Sequence, residues 1–274
     1  PLAMTSKDAK EMWEAADKAG VKTIVGYNRR RWPAVIFAKQ LLDEGFVGKP
    51  LYIKGTYLGN DGVNPRLPAV WRYQKALAGT GAIGDIGSHT VDLIRYLLGD
   101  FDELVSVMDT YITQRPIQKG STIMKKVDVD DASYFLAKMK NGVTVTLDCS
   151  RNTPGNCDTV GFELYGTKGS IKWSNKRRDE LEICTEDAPP DQYGFKLIEM
   201  GPKHPFGQNL VIPVPSWGVG APDNKALEIY EFLLSVRENK PFHADFYDGW
   251  KACQIIDAVV KSAETKSWVK VDDM

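Results

Sequence analysis

The residues from 132 to 149 constrain the fold more than any other stretch. Positions 132–140 and 143–149 each alternate apolar and polar side chains, with Val143, Val145, Leu147 and Cys149 on one side. A period of two puts alternate residues on opposite faces of a strand. Asn141-Gly142 between the runs supplies the positive φ angles that a tight hairpin needs. A second hairpin is expected at Gly166-Thr-Lys-Gly169, joining 161–165 to 170–174. Short strands are also expected around Leu51 to Tyr57, at 104–107 and near Leu181 and Ile183. Two helices, at about 224–238 and 247–264, close the chain. Together these elements predict an α+β fold, a largely antiparallel open sheet with helices on one face. The other face needs cover, and a second copy of the chain is the simplest source, so a homo-oligomer (dimer or tetramer) through the open sheet face is expected.

Other segments are more helical. Residues 5–20 form an amphipathic helix, capped by Thr5 or Ser6 and stopped by Gly20. Residues 22–27 (Lys-Thr-Ile-Val-Gly-Tyr) read as a short buried strand after it, and 33–44 as another helix. Helix then strand is the second half of a βαβ unit. Because the first strand is missing and the chain begins at Pro1 without Met, a truncated parallel sheet is expected. Residues 185–222, rich in Pro, Gly, Asp and Asn, read as a long irregular excursion.

Composition excludes several classes. The 274 residues carry a formal net charge of -1, so no nucleic-acid partner is expected. No apolar run is long enough for a membrane span. The four cysteines are scattered and expected to be reduced, which favours a cytoplasmic location. An N-terminal targeting segment stays open, because the start lacks Met.

The chemistry concentrates between Gly79 and Asp92. Gly79, Gly81 and Gly84 match a G-x-G-x-x-G pattern. A dinucleotide loop needs a buried strand before its first glycine, and the preceding Trp71 to Ala78 stretch is charged and without alternation, so the match is expected to be coincidental. Instead, Ser88 is read as the N-cap of a helix whose face carries Val91, Ile94, Leu97 and Leu98. His89 then lies in the first turn, where the helix dipole lowers its pKa and suits it to accept a proton. Asp85 lies just outside, on a glycine-rich turn, free to face a ligand. Asp85, His89 and Asp92 could also hold zinc or manganese. Pairing of Asp92 with a basic side chain is preferred, and no metal is expected.

These residues resemble a known family. Gly81-Ala-Ile-Gly-Asp85-Ile-Gly-Ser-His89-Thr-Val-Asp92 is similar to the G-G-x-x-x-D-x-G-x-H-x-x-D segment of the Gfo/Idh/MocA oxidoreductases. Gly26-Tyr-Asn-Arg29-Arg30 resembles their G-F-x-R-R stretch, Trp71-Arg72 a W-R pair, and 129–132 and 166–170 fit their sheet. One departure is Trp32, where members carry an Asp before Pro33. The resemblance implies a dehydrogenase using NAD or NADP on a sugar or polyol of inositol-like kind. It implies that residues 1–31 are the remnant of a dinucleotide-binding (Rossmann) domain of roughly 120 residues, and that 32–274 bind substrate and assemble the oligomer. Pro1-Leu-Ala resembles the continuation of a Glu-Lys-Pro motif whose lysine is catalytic, so that lysine is expected just before Pro1, and the chain alone is not expected to bind NAD(H) tightly. His89 and Asp85 are implied as catalytic, Arg29, Arg30, Trp71 and Arg72 as cofactor-binding, and Asn28, Arg151, Asn152 and His204 as substrate-binding. Trp217 could stack on a sugar ring, and His243 is read as structural. The competing readings are a non-catalytic sugar-binding or assembly module, and a metal-dependent isomerase or hydrolase.

Overall fold

The computed structural model describes residues 1–205, 214 and 217–274. Helix α1 (Ser6–Ala19) forms as its end signals predict. The Thr5 hydroxyl accepts from the Asp8 N–H at 3.1 Å, and Gly20 closes the helix in the left-handed region at φ 64°. The strand expected at 22–27 is absent. The segment is extended, but the Val25 N–H donates to the Ala244 carbonyl at 2.7 Å and the Thr23 hydroxyl accepts from the Phe246 N–H at 3.0 Å. A loop therefore takes its hydrogen bonds, and among the described residues no strand lies alongside to form a ladder.

A 3-10 turn (Asn28–Arg31) leads into α2 (Pro33–Asp43), which starts on proline, a residue preset for the first helical position. Strand β1 (Pro50–Leu58), the short helix α3 (Lys75–Ala78) and helix α4 (Ser88–Leu98) follow. Then come β2 (Phe101–Asp109), a small ribbon of β3 (Gln114–Pro116) and β4 (Met124–Lys126), and β5 (Ala132–Met139) to β6 (Thr144–Ser150). Next are β7 (Thr159–Gly166), β8 (Gly169–Ser174), β9 (Glu180–Thr185) and β10 (Lys196–Glu199). Helices α5 (Ala221–Glu238) and α6 (Phe246–Thr265) precede β11 (Val269–Lys270).

Among the described residues the main sheet has nine strands in the order β10-β9-β8-β7-β1-β6-β5-β2-β11. Only β1 and β6 run parallel; every other pair is antiparallel. Both predicted hairpins are present, and Gly142 adopts the positive φ (86°) its turn requires. The β5–β6 register sets Phe135 opposite Leu147 and Ala137 opposite Val145, all on the helix-covered face. The other face stays open, with Val107, Tyr134 and Leu136 exposed. The excursion at 185–222 is shorter than expected, because β10 pairs with β9 inside it. That strand has only two apolar residues between charged ones, too few to show a period. Residues 206–213, 215 and 216 of the excursion lie outside the described residues.

One close approach places the site. A Cβ on Gly55 of β1 would lie 2.7 Å from Thr90 Cγ2 and 2.8 Å from Ile94 Cδ1. Glycine there lets α4 rest directly on β1, which brings His89 beside Tyr57.

Candidate active site

The helical run that contains α4 does not begin at Ser88. A π-helical turn (Ile83–Gly87) runs straight into it, and Ser88 has helical dihedrals (φ -54°, ψ -34°), so it is not a cap. The cap comes from far along the chain. The buried Asp130 carboxylate accepts from the Gly81 N–H at 2.6 Å and from the Ile83 N–H at 2.8 Å. A Cβ on Gly81 would come within 1.9 Å of the Asp130 carbonyl oxygen. The glycines thus admit a protein carboxylate to the helix start. The G-x-G-x-x-G match is a packing motif, and its anion is internal.

His89 is therefore more than one turn inside a continuous helical run. Its pKa is lowered to about 4, first by burial, then by Arg29 and the N-terminal ammonium, with Asp85 and Asp158 opposing. The direction expected from the dipole is right, but the main cause is burial. The imidazole is neutral at physiological pH. It packs near the rings of Tyr27 (5.8 Å) and Tyr57 (6.1 Å), and its Nδ1 is buried without a protein hydrogen-bond partner.

His89 opens onto a cleft of about 640 Å³. Asn28, Arg29 and Trp32 line it from the 3-10 turn, Asp158 from the start of β7, and Asn224, Lys225 and Glu228 from α5. Arg29 donates to the Tyr57 hydroxyl at 2.7 Å and lies 3.4 Å from the Asp158 carboxylate, which also accepts from Tyr57. Asp158 sits at φ 89°, a conformation costly for a non-glycine residue and frequent at functional sites. Burial pushes the Glu228 carboxyl up to about 7.

Asp85 occupies an adjoining cluster. Its carboxylate accepts from Arg151 at 2.5 Å and lies 3.6 Å from Arg72 Nε. It is not free, contrary to the expectation from its position, and it is not bonded to the imidazole. Arg72 in turn stacks on Trp71, 4.6 Å from the ring centre.

Comparison with known proteins agrees with this fold. The family model described as "GFO/IDH/MocA C-terminal domain" matches residues 35–172. Levoglucosan dehydrogenase of Pseudarthrobacter phenanthrenivorans is 37% identical over 282 residues, covering 99% of this chain and 72% of that protein. The chain belongs to the Gfo/Idh/MocA family. It has the fold of that family's oxidoreductases. A solved levoglucosan dehydrogenase in complex with NADH and levoglucosan superposes with a TM-score of 0.94 over 98% of this chain and 72% of that one, at 37% identity. An NAD-binding oxidoreductase from Klebsiella pneumoniae gives a TM-score of 0.93 at 30% identity, over 99% of this chain and 72% of that one.

Within this Gfo/Idh/MocA chain the predicted residues divide. Asn28, Arg29 and His89 meet at the cleft; Asp85, Arg151, Arg72 and Trp71 form the neighbouring cluster. Arg151 is 1% exposed; its Nη2 holds Asp85 and the Gly81 carbonyl, while its Nε and Nη1 are buried without protein partners. Asn152 packs against Gly62, with its Oδ1 buried and unpartnered. Arg30 is elsewhere: 2% exposed, it grips Asp92 through Nε (2.8 Å) and Nη2 (2.5 Å) and Asp248 through Nη1 (3.0 Å). It is a core cation, because two buried carboxylates need it. That pairing is the role expected for Asp92, whose carboxyl burial pushes up to about 6 against the pull of Arg30. His204 is outside the lining of this cleft: its Nδ1 accepts from the Gly201 N–H, and its ring packs on Phe37 of α2 at 4.9 Å. Trp217 is exposed, and the His243 carbonyl accepts from Arg31. Trp32, the departure from the family pattern, lines the cleft. Tyr57, Asp158, Asn224 and Glu228 were missed. They come from β1, the loop before β7 and α5, and nothing in their local sequence distinguishes them from ordinary strand, loop or helix-surface polar residues.

Proposed function

We propose that this chain oxidises a hydroxyl-bearing carbon of a sugar or polyol, with NAD as electron acceptor. The carrying observation is His89: a buried neutral imidazole with an unpartnered Nδ1, facing a polar cleft of ring-sized volume. Named relatives support the substrate class, among them the levoglucosan dehydrogenase, a scyllo-inositol 2-dehydrogenase (NAD(+)) and a myo-inositol 2-dehydrogenase.

The fit to a dinucleotide is partial. The glycine stretch cannot take a pyrophosphate, because Asp130 already fills the helix start. The unpartnered buried atoms around the cleft (His89 Nδ1, Arg29 Nε, Asn224 Oδ1, Glu228 Oε1) fit the reacting end of a cofactor and its substrate. Bound nicotinamide supplies a hydride acceptor. His89 takes the hydroxyl proton from the substrate, and the Asp85 and Asp158 charges favour the developing imidazolium. Arg29, fixed by Tyr57 and Asp158, orients the substrate from the side. Residues 1–31 belong in this account to the edge of a dinucleotide-binding unit and lend Asn28 and Arg29 to the cleft. Residues 32–274 carry the rest of the substrate cleft and, through the exposed sheet face, a contact with a second copy.

The test is a substrate screen. The full reading frame that carries this chain is incubated with anhydrosugars, cyclitols and aldoses, and with NAD or NADP, while reduced nicotinamide is followed by absorbance. NAD reduction by at least one neutral polyol is expected. Silence across the panel with both cofactors would remove the proposal.

A further inference from the structure

Helix α5 contributes two buried polar residues to the cleft that no family motif marks. Asn224 is 2% and Glu228 is 6% exposed. They are four residues apart, hence neighbours on one helix face. One Asn224 Nδ2–H donates to the Asn28 carbonyl at 2.9 Å, which leaves Oδ1 and the second N–H as spare groups. Asn224 Oδ1 and Glu228 Oε1 are both buried without a partner, and both residues line the cleft. A buried acceptor without a donor costs stability, so such a pair persists where function requires it.

Resting on the oxidoreductase proposal above, we infer that Asn224 and Glu228 form a hydroxyl-recognition pair for the ring of a sugar or polyol. The reason is donor arithmetic. A sugar hydroxyl both donates and accepts, so it can satisfy either unpartnered oxygen. His89 and the α5 pair therefore divide the work. The imidazole meets the hydroxyl that reacts, and α5 meets hydroxyls that do not.

Calorimetry on the full reading frame tests this with levoglucosan, myo-inositol and glucose as probes. Glu228→Leu keeps the side-chain bulk and removes the acceptor; Glu228→Gln keeps an acceptor oxygen. The expected result is binding of a neutral polyol that E228L weakens by about tenfold or more while E228Q largely retains it. Removing an unpartnered buried carboxylate also leaves the melting temperature of E228L equal to or above wild type, so lost binding is not lost folding. Polyol binding unchanged in E228L would overturn the inference and leave the dehydrogenase standing. Binding of none of the polyols would overturn both.

Discussion

Arg151 donates to the Asp85 carboxylate at 2.5 Å from a position that is itself 1% exposed. The pair joins the end of β6 to the π-helical turn just before His89. Asp85 raises the His89 pKa through its charge, so the orientation of this acid sets how readily the imidazole holds a proton. Arg151→Met keeps the bulk and releases the carboxylate. It is expected to lower kcat by about tenfold or more, the worth of a charge-assisted hydrogen bond in a preorganised site, with a smaller change in KM. Steady-state kinetics checks this, and an effect confined to KM would return Arg151 to substrate binding.

The pH dependence follows from burial. His89 must be neutral to accept a proton, and its pKa lies near about 4 rather than 6.5. The acid limb of kcat/KM is therefore expected well below the usual histidine range. The sign for stability agrees. The unfolded chain takes up this proton first as pH falls below 6.5, so the stability held above that pH is lost as pH drops toward 4. Nuclear magnetic resonance titration of the His89 ring gives the value directly, and a midpoint near 6.5 would show that the ring is solvated.

Glu228 works in the opposite direction. Burial, with Asp92 and Glu231 adding to it and Arg31 and Lys225 opposing, moves its carboxyl from 4.5 to about 7. Folding favours the protonated form, so the contribution is complete below pH 4.5 and lost as pH rises through 7. Melting curves at pH 5 and pH 8 are expected to show a smaller difference for Glu228→Leu than for wild type. An equal difference would place the loss on other groups.

Arg30→Met separates the core from the site. It strands Asp92, which is fully buried, and removes one partner of Asp248. The expected cost is about 3–5 kcal/mol of stability, as for other buried pairs broken on one side. Denaturant unfolding measures it. A near-neutral variant with weakened NAD binding would restore Arg30 to the cofactor.

The fold was legible where periodicity was strong. Both hairpins and the amphipathic helices follow from alternation, apolar stripes and turn residues. The segment 22–27 misled, since an apolar run reads as a strand whether or not a neighbour exists to pair with it. Ser88 misled for a related reason. Its cap-like identity is local, whereas Asp130, the group that in fact holds the helix start, lies 49 residues from Gly81. At the site, His89 was visible because its spacing from Asp85 and its family motif are contiguous. The Arg30–Asp92 pair could be guessed only as a partner of unknown identity. Asn224 and Glu228 were invisible, because a polar pair four residues apart on a helix is the ordinary pattern of a solvated face, and only the tertiary structure shows that this face is buried.

His89→Ala in the full reading frame, assayed with NAD and a neutral polyol that the wild type oxidises, tests the account most directly. Loss of general base catalysis is expected to lower kcat by about 10²–10⁴-fold with the melting temperature preserved. Turnover equal to wild type would contradict the assignment of His89 and, with it, the proposed reaction at this cleft.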